Sequence, residues 1–313
     1  MTGSKSWLPI PKGSHFSLAN IPFGIISTDT ASEPRPAIAV GDYALDLSVF
    51  AANEGFSALK GSDSYLNTFN KSTLNDFAAL GRPIHRQVRA YLQAVFSIDT
   101  PHSEILKNND KLRHKALIPL KDVINHLPLQ VGDYSDFFAG YYHALKAIQV
   151  YDVKLAANYK HLPCGYNGRS ASIVLSGTPI HRPHGQFVET PGSPPVFGPT
   201  KQLDFEVELG CFIGKPSSLG RPIHVDNGED HIFGIVLLND WSARDIQAWE
   251  MPPLGPVNGK NFGTSISPWV VLADALEQFR ASAIENDTPI LPYLQQKNKG
   301  NVYDIKLQAT VTS

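Results

Sequence analysis

The chain has 313 residues, 42% of them apolar and 18% charged, which is length for two domains of ordinary size and the composition of a soluble globular protein. Its 27 basic and 29 acidic residues leave a formal net charge of −2, so the charge balance offers no footprint for nucleic acid or an anionic membrane. The N-terminus lacks the apolar run of a secretory signal, no later run approaches a membrane span, and Cys164 and Cys211 are too few for a disulfide framework, so a cytoplasmic protein with reduced thiols is expected.

In chain order, residues 22–27, 37–40 and 43–47 read as short strands, the last two joined by a Gly41-Asp42 turn. Residues 75–80 predict a short helix. Pro83 opens a longer one, in which Ile84, Val88, Tyr91, Leu92, Val95 and Phe96 form a core-facing stripe. Residues 101–115 are mostly polar and predict a solvated connection, which places a domain boundary near residue 120 and divides the chain into 1–120 and 121–313.

The second part holds the chemistry. Gly132 leads toward a helix expected to start near Ser135, and Asp136 and His143, seven residues apart, would share one face of it at roughly 3.6 residues per turn. Residues 202–214 alternate as a strand, with Leu203, Phe205, Val207 and Leu209 on one face and Asp204, Glu206 and Glu208 on the other. Carboxylates so placed repel unless neutralised. A hard cation such as Ca²⁺ or Mg²⁺ would serve, and a solvated edge strand is the plainer alternative. Residues 232–238 predict a strand buried on both faces that ends at Asn239 and Asp240. A carboxylate at that mouth needs a cation or donors. Ser242 is the expected cap of a helix that presents Arg244, Gln247 and Trp249, and Pro252, Pro253, Gly255, Pro256 and Gly259 then force a loop that returns Lys260 and Thr264 to the strand end.

The ordered set of Asp136 with His143, HLPCGYNGR (161–169), SGTPIHRP (176–183), Glu206-Val207-Glu208, NDWSARDIQAWE (239–250) and GKNFGTSISPW (259–269) resembles the fumarylacetoacetase family, from about residue 20 onward. The resemblance implies a mainly β fold with some α structure, a small SH3-like β-barrel followed by a mixed β-roll, and a homodimer. It implies Ca²⁺ held by Asp136, Glu206, Glu208 and Asp240, with Lys260 and Thr264 beside a Mg²⁺ site. His143 becomes the catalytic base, assisted by Lys260 and Arg244, while Tyr166 and Gln247 join them in a pocket for a small diketo acid. The implied reaction splits 4-fumarylacetoacetate with water into fumarate and acetoacetate, the last step of tyrosine and phenylalanine breakdown.

Three departures accompany the resemblance. Phe138 and Met251 occupy positions where the family binds substrate through tyrosines, and Asp152 lies near the place of a substrate-binding arginine. Family members also continue for about another domain's length, on the order of 100 residues, so the roll is expected to be incomplete and His143 to lack the carboxylate that orients it. The alternative reading is a catalytically silent, truncated paralogue that keeps a metal-binding scaffold.

Overall fold

The computed structural model describes residues 5–150, 154–251 and 254–312, so Asp152, Pro252 and Pro253 lie outside the described residues. β1 (Phe23–Thr28), β2 (Ala31–Val40) and β3 (Tyr43–Asp46) are antiparallel neighbours. The Gly41-Asp42 turn closes Val40 on Tyr43, with Gly41 at φ 58°, where a side chain would be strained. Asp46 then caps α1 (Leu47–Ala52), its carboxylate accepting from the Val49 amide. After α2 (Asn75–Ala79) comes α3 (Arg82–Phe96), with Pro83 in its first turn and Val88, Tyr91, Leu92, Val95 and Phe96 buried, the stripe expected from the spacing.

The solvated connection does not hold. Residues 110–116 form α4 (Asp110–Ala116), capped by Asn109, and Leu106 and Leu112 are buried in the core. Two apolar anchors among many polar residues were enough to fold the segment back. β4 (Leu117–Pro119) and β5 (Ile124–His126) complete a five-stranded antiparallel sheet in the order β4-β3-β2-β1-β5. Among the described residues no ladder joins β4 to β5.

The second half runs through β6 (Ser135–Phe137), α5 (Tyr141–Val150), β7 (Gly165–Asn167), β8 (Ile173–Leu175), β9 (His184–Phe187) and β10 (Val196–Pro199). It continues with β11 (Leu203–Ile213), β12 (Ile232–Ala243), α6 (Arg244–Glu250), α7 (Asn258–Asn261), β13 (Thr264–Ile266) and β14 (Val271–Leu272). The principal sheet has the order β11-β12-β13-β8, with β14 also on β12.

Strand β12 does not stop at Asn239 and Asp240. Its antiparallel ladder with β11 begins at the Leu203–Ala243 pair, so backbone hydrogen bonds carry the strand past the polar residues. Nor is it buried on both faces throughout, for Leu237 is 57% exposed. On β11 the alternation is as expected, and the acidic face is the one turned inward: Phe205, Val207 and Leu209 are exposed, whereas Asp204, Glu206 and Glu208 are half-buried. Toward the C-terminal end, β15 (Arg280–Ala281) pairs with β16 (Val302–Tyr303).

One hydrophobic core spans both halves. Phe23, Phe77 and Val88 from the first pack with Phe233, Ile266 and Leu272 from the second. Each such side chain contributes roughly 1.5–3 kcal/mol by burial. Phe233, at the start of β12, meets Phe77 edge-on at 5.9 Å and the His85 ring at 4.9 Å. Arg82 of α3 adds ion pairs to Asp274 at 3.0 Å, to Glu229 at 3.4 Å and to Glu277. The strand that ends in the acidic site therefore begins in a floor built largely by the N-terminal helices.

Candidate active site

Asp240 sits opposite Glu206 of β11 on one side and Thr264 of β13 on the other, with only 2% of its surface exposed. Burying that carboxylate requires a cation, and Lys260 provides one. Its Nζ donates to Asp240 Oδ2 and to Glu206 Oε2, each at 2.6 Å. The loop before Lys260 is pinned by the buried Glu250, which accepts from the Gly259 amide at 3.0 Å. Gly259 lies so close to α6 that a Cβ would stand 2.7 Å from the Gln247 amide nitrogen, so only glycine fits.

Arg244 opens α6. It donates from Nε to Asp204 at 2.8 Å, from Nη2 to Glu206 Oε1 at 2.7 Å and from Nη1 to Gln247 Oε1 at 3.1 Å. Ser242 does not cap this helix. Because β12 extends to Ala243, the serine is still in the strand, and its hydroxyl donates to the Asp240 carbonyl at 3.2 Å. Met251, just past α6, is 37% exposed.

Asp136 and His143 do not share a helix. Asp136 lies in β6, opposite Tyr166 of β7, and α5 begins only at Tyr141, so the pairing of two distant short strands overrides the local helical spacing. The two side chains still converge on one region. Tyr166 Oη donates to Asp136 at 3.2 Å and approaches Asp240 at 3.5 Å. His143 Nε2 stands 3.8 Å from Glu206 Oε1, its side chain 52% exposed and its ring edge-on to Phe138 at 5.4 Å.

Asp136, Glu208 and Asp240 each offer an oxygen within 4.8 Å of the others, and among the described residues the buried Asp240 Oδ1 has no hydrogen-bond partner. Hard oxygen donors converging around an unsatisfied carboxylate oxygen fit a divalent cation. Glu206 stands apart from this triad, committed to Lys260 and Arg244. Burial pushes Glu208 up to about 8, with the Asp136, Asp240 and Glu206 charges adding to it. Burial also raises Asp240, to about 7, against the pull of Lys260, and raises Asp136. For Glu206, burial is outweighed by Lys260 and Arg244, which hold it down at about 2. Without a cation Glu208, and in part Asp240, thus retain protons at neutral pH, while Glu206 remains charged.

Thr264 is buried beside Asp240 and lies 3.4 Å from the Tyr134 hydroxyl. Sequence reasoning missed Tyr134. The available signal was Gly168, where a Cβ would collide with the tyrosine ring at 1.9 Å. Asp204, which fixes Arg244, was identified only as one of three like charges.

Adjacent strands β11 and β12 of a mixed sheet carry Glu208 and Asp240, Asp136 joins them from β6, and the buried Lys260 closes on Asp240; this defines a class, proteins built around an acidic centre suited to a metal. Residues 19–128 match the model described as "Fumarylacetoacetase N-terminal", and residues 137–311 match "Fumarylacetoacetate (FAA) hydrolase C-terminal". The chain is 58% identical to the fumarylacetoacetase of Emericella nidulans, over 98% of this chain and 73% of that protein. It is 45% identical to that of Arabidopsis thaliana, over 97% and 72%, and 40% identical to that of Homo sapiens, over 98% and 72%. The chain belongs to the fumarylacetoacetase family.

Proposed function

We propose that this chain hydrolyses a carbon–carbon bond of a β-diketo acid, converting 4-fumarylacetoacetate and water to fumarate and acetoacetate, the last step of tyrosine and phenylalanine breakdown. The observation that carries this reading is the Asp136, Glu208 and Asp240 triad, with an orphaned oxygen on Asp240 and the Lys260 ammonium at its back. Asp136, Glu208 and Asp240 would hold Ca²⁺ with Glu206 beside them, and Lys260 and Thr264 would flank Mg²⁺. Such a cation, when bound, polarises the dicarbonyl oxygens.

The side chains supply the rest. His143 takes a proton from water, and the hydroxyl oxygen bonds to the fumaryl carbonyl carbon. The carbon–carbon bond breaks, its electron pair leaves with the acetoacetate methylene, and the imidazolium returns the proton there. Lys260 and Arg244 stabilise the developing negative charge, and Tyr166 and Gln247 orient the substrate oxygens. Phe138 holds the His143 ring edge-on, and Met251 offers an apolar contact. A cytoplasmic homodimer, with its domains divided near residue 120, belongs to the same proposal.

The test is loss of fumarylacetoacetate absorbance with purified protein, with and without Ca²⁺ or Mg²⁺. Metal-dependent turnover is the expected result, and a folded, metal-binding protein that turns nothing over would favour the silent paralogue. Binding itself has a pH signature. A cation must displace the protons on Glu208 and Asp240, so the rise in Tm given by millimolar Ca²⁺ should be larger at pH 8 than at pH 6. Conversely, the metal-free protein should lose stability as pH rises from 4.5, the ordinary Glu208 value, toward 8, because the folded state then retains a proton that the unfolded chain has released. Differential scanning fluorimetry across that range checks both; a Ca²⁺ shift independent of pH would count against the triad as the binding site.

A further inference from the structure

A second feature adjoins His143. A cavity of about 760 Å³ has His143 and Phe138 on one wall, residues 159–164 on a second and residues 282–294 on a third. His143 faces two ways, lining this cavity while its Nε2 stands 3.8 Å from Glu206 at the edge of the carboxylate cluster. A substrate seated on the cluster and attacked beside His143 would direct its far end toward the cavity.

The lining is largely aromatic and aliphatic, through Phe138, Tyr141, Tyr142, Leu162, Ile284 and Ile290. Among the described residues, Lys160 is the one lysine or arginine in it. Its ammonium lies 5.7 Å from the centre of the Tyr141 ring and bonds to both Asp287 oxygens, at 2.8 and 2.6 Å. The two partners are unequal. The Asp287 side chain is 69% exposed and that of Lys160 only 32%, so water can take over the carboxylate while the ammonium remains at the cavity wall. An ion pair this open contributes little and exchanges easily.

We propose that Lys160 is a specificity-determining residue for the acyl half of the substrate, releasing Asp287 to bind the terminal carboxylate of an unsaturated dicarboxylic acyl group. The inference rests on the hydrolase reading above. Flat aromatic walls suit a conjugated acyl chain, and the cation at the wall provides its charged terminus with a partner. Asp287 is then a competitor for Lys160, not an assistant, and this sets the sign of the test.

Two variants and two substrates separate anchoring from mere bracing of the 282–294 segment. The substrates are 4-fumarylacetoacetate and an analogue whose acyl chain ends in methyl instead of carboxylate. Lys160→Met should lower kcat/KM for the dicarboxylate about tenfold, mainly through KM, as expected for loss of one charge-assisted contact, and leave the methyl analogue unaffected. Asp287→Asn should leave the dicarboxylate unchanged or improve it. If Lys160 only braces the segment, both variants break the same ion pair and both substrates suffer alike, which overturns the proposal. Should the wild-type protein turn over neither substrate, the hydrolase reading fails by itself, and calorimetry with fumarate on the Ca²⁺-loaded protein decides the anchor. Fumarate binding weakened by Lys160→Met but not by Asp287→Asn sustains it; no binding, or equal loss in both, ends it.

Discussion

His143→Ala should reduce turnover of the diketo acid by about 10²- to 10⁴-fold, the range a positioned general base contributes, while leaving the fold and the Ca²⁺-induced rise in Tm intact. The imidazole is half exposed, contacts Phe138 edge-on and stands 3.8 Å from Glu206, so removing it opens no core cavity and strips no buried partner. Activity and stability therefore separate at this position. Retention of wild-type kcat in a folded His143→Ala protein would show that the proton leaves water by another route. Binding of acetoacetate, measured by competition, should hardly change, because Arg244, Gln247, Tyr166 and Lys260, the donors assigned to the substrate oxygens and their developing charge, lie on α6, β7 and α7.

Lys260→Met should have the opposite character. The ammonium lies between two carboxylates with 6% of its side chain exposed, and methionine fills the volume without the charge. Glu206 then keeps Arg244, and Asp240 loses the ammonium that faces it. Breaking a buried ion pair from one side costs about 3–5 kcal/mol, and chemical denaturation should report a loss of that order at pH 8 in the absence of metal. The loss should shrink as pH falls toward 7, because Lys260 holds the Asp240 value down and without it Asp240 takes a proton more readily and buries no charge. Saturating Ca²⁺ should restore part of it. Lys260→Arg is expected to be a poor rescue, since a planar guanidinium cannot replace a compact ammonium between oxygens 2.6 Å away on either side. A Lys260→Met protein as stable as wild type at pH 8 without metal would mean that the carboxylates are already protonated there.

Much of the scaffold was legible because its signals are local. The Gly41-Asp42 hairpin and the apolar stripe of α3 depend on residues adjacent in sequence, and both form as expected. So was the demand that Asp240 makes: a carboxylate on an apolar strand must find a cation, and the loop that returns Lys260 delivers it. Nonlocal pairing was not legible. The seven-residue interval from Asp136 to His143 assumes one unbroken helix, and the pairing of β6 with β7 overrides it. Strand β11 presents a different limit. Alternation identifies which residues share a face but not which face turns inward, and here the half-buried one is acidic. The same ambiguity hid the division of labour among the carboxylates, because only the three-dimensional placement of Lys260 and Arg244 separates Glu206 from the triad.

The footing of β12 extends the argument beyond the site. Phe233, at its start, is wedged against Phe77 of α2 and His85 of α3, and Arg82 fastens α3 to Asp274. The strand then runs without a break from that floor to Asp240. A lesion at Phe77 or Arg82 touches no carboxylate, yet it displaces the base on which one of them is mounted. The mutational target for loss of activity is accordingly far larger than the chemical centre, and an inactivating variant in the first 100 residues is to be read as a defect of alignment before it is read as a defect of chemistry.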